Sequence, residues 1–285
     1  MKNTRISIVG LGQVGMSFLN VLSVKKYEIV SVFNRSKIDS SIASKFPGTT
    51  FKAGLPSKKG AIGNLILLTV SDDAIEKVSR DIASHFDNLV GFMFAHCSGV
   101  HSSEVLSALK QKGAKIASFH PMKSITESAN SFQDTWFDIE GDEEVLIELE
   151  QLTKKLQAKT FRVEPEAKPF LHAAAVVASN YLVVLADLVS KISSEGNVPE
   201  DIALKAMTPL MHNTLQNIET KGVAESLTGP IERGDIETIQ KHLNNLQNTP
   251  ELLSLYKVLG NEAVKIAVQK KGASPSLKKI KDLFS

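Results

Sequence analysis

The chain has 285 residues, which at roughly 100–200 residues per domain allows one large or two medium domains. Hydrophobic residues make up 42% and charged residues 22%, with 17 Gly and 10 Pro, a composition that excludes a disordered, collagenous or low-complexity chain. The 33 basic side chains nearly balance the 31 acidic ones, for a formal charge of +2, so the footprint of a nucleic-acid binder is missing. The basic tail Lys278, Lys279 and Lys281 reads as a solvated helix face.

One cysteine, Cys97, cannot form an intramolecular disulfide, and no pair of Cys/His clusters has the spacing of a structural zinc site. A reducing, cytoplasmic setting is expected. At the N-terminus the first apolar stretch runs straight into a glycine motif with no small-residue cleavage site, which reads as a first strand rather than a signal peptide. The stretch Phe170–Val189 is interrupted by His172, Ser179, Asn180 and Asp187. It reads as a buried helix of a soluble domain, so no membrane partner is expected.

Short β-rich runs alternate with helical stretches over the first half: Ile6–Val9, Ile29–Phe33, Leu65–Val70, Gly91–His96, Ile116–Phe119 and Phe161–Val163. That alternation predicts βαβ units and a parallel sheet. Near Glu164 and Pro165 the pattern changes, and from Lys168 the sequence is helical, broken at Gly196-Asn197, Lys221-Gly222, Thr228-Gly229-Pro230, Thr249-Pro250 and Lys271-Gly272. The expected fold is an α/β domain over residues 1–165 and an all-α domain over 166–285.

Gly10-Leu11-Gly12-Gln13-Val14-Gly15 follows the first strand and opens the helical run Met16–Leu22. The first glycine permits a tight turn, the second lets the backbone approach a pyrophosphate, and the third lets helix and strand pack closely. A dinucleotide site is expected, against the plainer reading of a glycine turn without a ligand. Where a NAD enzyme usually carries Asp or Glu for the ribose 2′-hydroxyl, this chain has Asn34, Arg35 and Ser36. Asn34 removes a carboxylate that would repel a 2′-phosphate, while Arg35 and Ser36 offer a guanidinium fork and a hydroxyl, so NADP is expected. The alternative is a solvated Arg35 and both cofactors.

The segments Val70-Ser71-Asp72-Asp73 and His96-Cys97-Ser98-Gly99 leave the carboxyl ends of strands, where ligands of open α/β sheets lie. Val70, Ser71 and Ser98 are therefore candidates to line the cofactor or the reacting carbonyl. Asp72 and Asp73 read as N-cap residues, and Cys97 as a small buried hydrophobe. Reduction of a carbonyl needs a proton donor and groups that orient the substrate. His120 follows a strand in Phe119-His120-Pro121-Met122-Lys123, and Lys123 stands just beyond it. His120 is alternatively a loop histidine bonded to backbone. Seven residues of helix turn 700°, so His172 and Ser179 point within about 20° of each other, roughly 10 Å apart along the axis. With Asn180 they form a polar set among small alanines, readable as interhelix hydrogen bonds or as a site. In Leu227-Thr228-Gly229-Pro230-Ile231-Glu232-Arg233-Gly234-Asp235, Arg233 and Thr228 are candidates for a substrate carboxylate, and Asp235 reads as an N-cap.

In this order, GLGQVG, NRS, TVSDDAI, HCSGVHSSEVL, SFHPMKSI, FDIEGDEE, HAAAVVASNYLVVL and SLTGPIERGD resemble a family of Rossmann-like NADP oxidoreductases whose C-terminal half is a helical domain of unknown function. The family is similar in build to ketopantoate reductase, pyrroline-carboxylate reductase, prephenate dehydrogenase and the β-hydroxyacid dehydrogenases, and His120-Pro121-Met122 resembles the prephenate dehydrogenase element. The resemblance implies a helical domain of the 6-phosphogluconate dehydrogenase C-terminal type that pairs subunits into a homodimer. It also implies reduction of a small 2-oxo acid with NADPH, with 2-dehydropantoate and pantothenate synthesis suggested by one branch. The alternatives are a prephenate- or β-hydroxyacid-type dehydrogenase and an NADP-sensing binding protein. The chain departs from the Lys-x-x-x-Asn of ketopantoate reductases: Asn180 matches, but Val176 stands at the lysine position. The acid must then be His172, His120 or Lys123.

Overall fold

In the computed structural model, which describes residues 4–125 and 131–285, the first half of the chain builds one sheet. Its strands are β1 (Arg5–Val9), β2 (Glu28–Asn34), β3 (Thr50–Ala53), β4 (Leu65–Leu68), β5 (Met93–His96), β6 (Lys115–Pro121), β7 (Trp136–Gly141) and β8 (Lys159–Arg162). They lie in the order β3-β2-β1-β4-β5-β6-β7-β8. Neighbours are parallel except β6 and β7, which pair antiparallel. The helices of this half are α1 (Gln13–Val24), α2 (Ser40–Ala43), α3 (Asp72–Ser84), α4 (Ser107–Gln111) and α5 (Glu143–Lys155). The order reverses between β1 and β4, which makes their carboxyl ends the crevice of a doubly wound sheet.

Alternation along the strands sorts the core into two layers. Ile6, Ile8, Leu65, Leu67, Ala117, Phe119, Phe137 and Ile139 pack with Phe18, Leu19 and Leu22 of α1 and Val145, Leu149 and Leu152 of α5. The rings of Phe119 and Phe137 stack at 4.4 Å. On the other face Val9, Ile66, Leu68, Phe94 and Ile116 meet Ile75 and Ile82 of α3 and Leu109 of α4. Two strands lie outside the sequence expectation. β3 is a short, largely exposed edge strand, and β7 alternates apolar with acidic residues, a composition depleted in strands.

The chain divides into two compact units, Met1–Ser179 and Asn180–Ser285, with the division inside α6 (Lys168–Glu195) rather than at residue 165. The remaining helices are α7 (Glu200–Lys221), α8 (Val223–Ser226), α9 (Pro230–Arg233), α10 (Ile236–Asn245), α11 (Pro250–Lys271) and α12 (Pro275–Leu283). Proline opens α9, α11 and α12, where the missing N–H has no intrahelical partner to lose. Asp235 caps α10 by accepting from the Thr238 amide, as the sequence predicts. Ile239, Leu243, Val264, Ala267, Leu277, Ile280 and Phe284 form the core of this unit.

α6 departs from the expectation of a buried helix. The segment Pro165–Glu195 is long and apolar enough to cross a membrane, and only 11% of its apolar window is buried. Tyr181, Val183, Val184 and Leu185 are exposed, as are Ile202, Met207, Leu210 and Leu215 of α7, whose one buried residue is Ala203. The apolar positions run round these helices, so no single stripe lies against a core.

Candidate active site

The glycine loop is set by close packing. Gly10 adopts φ +100° and its missing side chain makes room for Thr69 and Val70, while a β-carbon on Gly15 would overlap the Gly10 carbonyl oxygen. Nothing lies within 4 Å of the place a Gly12 β-carbon would take. Gly12 also caps α1 without a side-chain bond, and no acid stands in the first turn. The first turn of α1 thus has no side-chain cap and no acid of its own, as an anion site at a helix N-terminus requires. Thr69 steadies the loop by donating its hydroxyl to the Gly10 carbonyl at 2.6 Å.

Beside the loop lies a groove of about 540 Å³ lined by Asn34, Arg35, Ser36, Val70, Ser71 and Lys77, with Gly10, Leu11 and Gly12 at its floor. Gln13 and Val14 open α1 behind it. Asn34 Oδ1 accepts from the Leu11 amide at 3.2 Å and its Nδ2 leans on the Ser36 carbonyl at 3.4 Å. The neutral Asn34 and the cations Arg35 and Lys77, against the single acid Asp81, fit a dinucleotide bearing a 2′-phosphate. One expectation is corrected: the N-cap of α3 is Ser71, and Asp72 and Asp73 fall in the first turn, where they favour the positive end of the helix dipole.

Farther along the same carboxyl edge, past β5, the sheet face changes from apolar to polar. His96 ends β5, Ser118 and His120 alternate on β6, and Asp138 and Glu140 alternate on β7. The antiparallel register sets His120 opposite Asp138 and Ser118 opposite Glu140. His120 Nδ1 and Asp138 Oδ2 are 2.7 Å apart, and the Lys168 amine, at the start of α6, donates to Asp138 Oδ1. Asp138 and Lys168 are both 0% exposed. Burial pushes the Asp138 carboxyl up, but the His120 hydrogen bond and the Lys168 charge outweigh it and hold the carboxyl below its ordinary value. An ionised Asp138 accepts, so His120 Nδ1 donates to it. Burial instead prevails at Glu140, whose carboxyl is pushed up although the Ser103 amide and hydroxyl donate to it.

Gly99 closes the cluster. A β-carbon there would stand 2.6 Å from His172 Nδ1 and 2.8 Å from His120 Nε2, so both imidazoles turn toward one backbone position. His172 Nδ1 is buried without a hydrogen-bond partner. The loop is braced by His96, which takes the Ser98 amide on Nδ1 and gives Nε2 to the Ser102 carbonyl. Burial drives the His96 pKa down to about 3, so this ring stays neutral. Ser98 Oγ accepts from the Val100 and His101 amides, leaving its proton free to donate.

The structure groups His120, His172 and Ser98 with residues the sequence reading passed over: Asp138, Lys168, Glu140, His96 and Gly99. Lys123 is exposed and donates to the Ser131 carbonyl at 2.6 Å. Ser179 and Asn180 are exposed, so the expectation of buried polar groups on that helix holds for His172 alone. Thr228 and Arg233 are exposed in the helical unit. Cys97 is partly buried, and burial pushes its thiol up, away from a reactive thiolate.

Removing one partner of a buried pair strands the other charge. Lys168→Met is expected to lower unfolding free energy by about 3–5 kcal/mol, and Lys168→Met with Asp138→Asn by less than that, measured by urea denaturation. A loss in the double variant equal to the sum of those for Lys168→Met and Asp138→Asn alone would show that the pair is uncoupled. Because the folded carboxyl lies below its ordinary value, its contribution is present above the unfolded pKa and fades as pH falls through the folded one.

Residues 1–121 match the model of a Rossmann-like domain, and residues 135–263 match a domain of unknown function, DUF2520. No curated protein matches the sequence. Among solved structures, protein TM1727 from Thermotoga maritima is 28% identical with a TM-score of 0.72, covering 93% of this chain and 99% of its own. BF3122 from Bacteroides fragilis, named for an NADP oxidoreductase activity, is 21% identical with a TM-score of 0.71 over 93% and 98%. The Plasmodium falciparum pyrroline carboxylate reductase with NADP bound is 10% identical with a TM-score of 0.61 over the whole of both chains. The chain thus matches a Rossmann-like domain over residues 1–121 and DUF2520 over residues 135–263, and shares the fold of the pyrroline carboxylate reductase.

Proposed function

We propose that the protein is an NADPH-dependent reductase of a small 2-oxo acid, with 2-dehydropantoate the first substrate to test. The observation that carries this reading is the His120 imidazole, backed by buried Asp138 and Lys168 at the sheet edge that also holds the glycine loop. Parallel pairing of β1, β4, β5 and β6 aligns their carboxyl ends. His120 thus stands three strands from the loop, about 14 Å at the usual strand spacing.

The bound dinucleotide would supply a hydride to the carbonyl carbon. As the C=O electron pair moves to oxygen, protonated His120 gives its Nε2 proton to that oxygen and keeps Nδ1–H on Asp138. His172 Nδ1 and the Ser98 hydroxyl supply further polar contacts beside Gly99. Gly10 to Gly15 would hold the pyrophosphate, and Arg35, Ser36 and Lys77 the 2′-phosphate. For a substrate carboxylate the sequence offers Arg233 and Thr228, and for the carbonyl Asn180. Replacement of each, read as a rise in KM for the acid alone, tests these roles. An imine substrate would use the same steps with nitrogen taking the proton, and the likeness to pyrroline carboxylate reductase favours including one.

Purified protein is expected to oxidise NADPH when given 2-dehydropantoate, faster than with other 2-oxo acids, 1-pyrroline-5-carboxylate or no substrate. Arg35→Ala is expected to raise KM for NADPH about tenfold or more, the loss of one charge-assisted contact, and to leave NADH little changed. His120→Asn should lower kcat by about 10²–10⁴. Binding of NADPH with no turnover on any carbonyl or imine, and no oxidation of prephenate or β-hydroxyacids with NADP, would replace this reading by a sensing one.

The apolar surface of the helical unit supports a homodimer as the working state. Ile202, Met207, Leu210 and Leu215 on α7 are exposed together with Tyr181, Val183 and Val184 on α6, an apolar display that single soluble chains rarely carry. Light scattering is expected to give about twice 31.0 kDa, and Leu210→Glu to shift the mass toward the single chain. A wild-type mass of one chain overturns the dimer.

A further inference from the structure

We infer that Lys168 is a positioning residue for His120, a buried cation that takes one oxygen of Asp138, leaves the other to hold the His120 Nδ1–H, and so sets which imidazole nitrogen faces Gly99 and how firmly a proton is held there. The inference rests on the reductase reading only for its kinetic consequence; the geometry stands apart from it.

The lysine is poorly explained as an ordinary stabilising ion pair. It is 0% exposed, heads a helix whose next residues are exposed or half-buried, and donates a hydrogen bond to the one carboxylate that also holds His120. Each oxygen of Asp138 thus has a separate partner: Oδ1 the amine, Oδ2 the imidazole. With Asp138 ionised, His120 donates from Nδ1, and neutral His120 keeps its lone pair on Nε2, the atom turned to Gly99. A proton taken up on Nε2 is then the one available for delivery.

Lys168 also limits how tightly that proton is held. A lone buried carboxylate would favour imidazolium strongly. Beside a lysine the carboxylate belongs to a neutral pair, and a third charge on His120 meets the Lys168 cation as well as the Asp138 anion. Among the described residues, further titratable groups on elements around His120 are His96, Cys97 and His101 at the end of β5 and beyond, Lys123 just past β6, Glu140 on β7 and His172 on α6. His96 is neutral and Glu140 is held by Ser103. His172 faces the same glycine and is the group whose titration must be told apart.

The test follows the sign of two substitutions. Histidine resonances are titrated by NMR in wild type, Lys168→Met and Asp138→Asn without added substrate or cofactor, with His172→Gln to assign the two rings. The His120 midpoint is expected to rise by about 1 pH unit or more in Lys168→Met and to fall by a like amount in Asp138→Asn, with Lys168→Arg returning toward wild type. The alkaline fall of kcat should move in the same two directions. A structural role alone would lower stability in both variants and leave the midpoints together; that result, or shifts of one sign, overturns the inference. If Lys168→Met does not fold, nitrogen shifts of wild-type His120 decide: a neutral ring protonated on Nδ1 supports it, and one protonated on Nε2 overturns it. Opposite NMR shifts without turnover would uphold the positioning role and defeat the reductase reading, whereas turnover with unmoved midpoints would do the reverse.

Discussion

A carboxylate buried at the end of a sheet is the constraint round which the distal half of the first unit is organised. Asp138 is out of water on β7, and an ion in that setting persists only with its charge opposed and its lone pairs filled. Two elements answer that need from different directions. The antiparallel return of β7 brings His120 opposite it, and α6 begins with its first side chain turned inward. A parallel β7, or a helix begun one residue later, would leave Asp138 without one of these partners. The antiparallel strand and the start of the long helix are thus both required for the two contacts of one side chain.

The glycine loop rests on a different kind of constraint. Gly10 and Gly15 are fixed by steric closeness to Thr69 and to each other, so the loop is shaped by what does not fit there. The His–Asp–Lys cluster is shaped by what electrostatics demands. Close packing holds the loop in one geometry, whereas the cluster sets one buried carboxylate between an imidazole and an amine.

The same contrast explains what was legible in the sequence. Sterically driven features have short local signatures: the glycine spacing, Asn34-Arg35-Ser36 after a strand, Asp235 at a helix start. The polar cluster has none, since its partners lie far apart in the chain and meet only through the sheet. His120 was visible because it follows an apolar strand. Asp138 was hidden in Phe-Asp-Ile-Glu, an alternation whose polar face ordinarily lies in water but here is buried. Lys168 was hidden because a lysine before a proline at a helix start reads as solvated. Gly99 reads in the sequence as part of a loop, and only the proximity of two imidazoles shows why a side chain would clash there. The long apolar helix reads as buried, because hydropathy says that a surface must be covered and not what covers it.

Asn34 joins two demands at one position. Its carbonyl oxygen holds the Leu11 amide, so it pins the glycine loop to the end of β2. Aspartate would accept that bond equally well, and its charge would strengthen it. What aspartate would add is an anion beside Arg35 at the groove, neutralising the guanidinium that a 2′-phosphate needs and repelling the phosphate itself. Asparagine keeps the loop geometry and leaves Arg35 its charge. Loop architecture alone therefore does not separate the two dinucleotides.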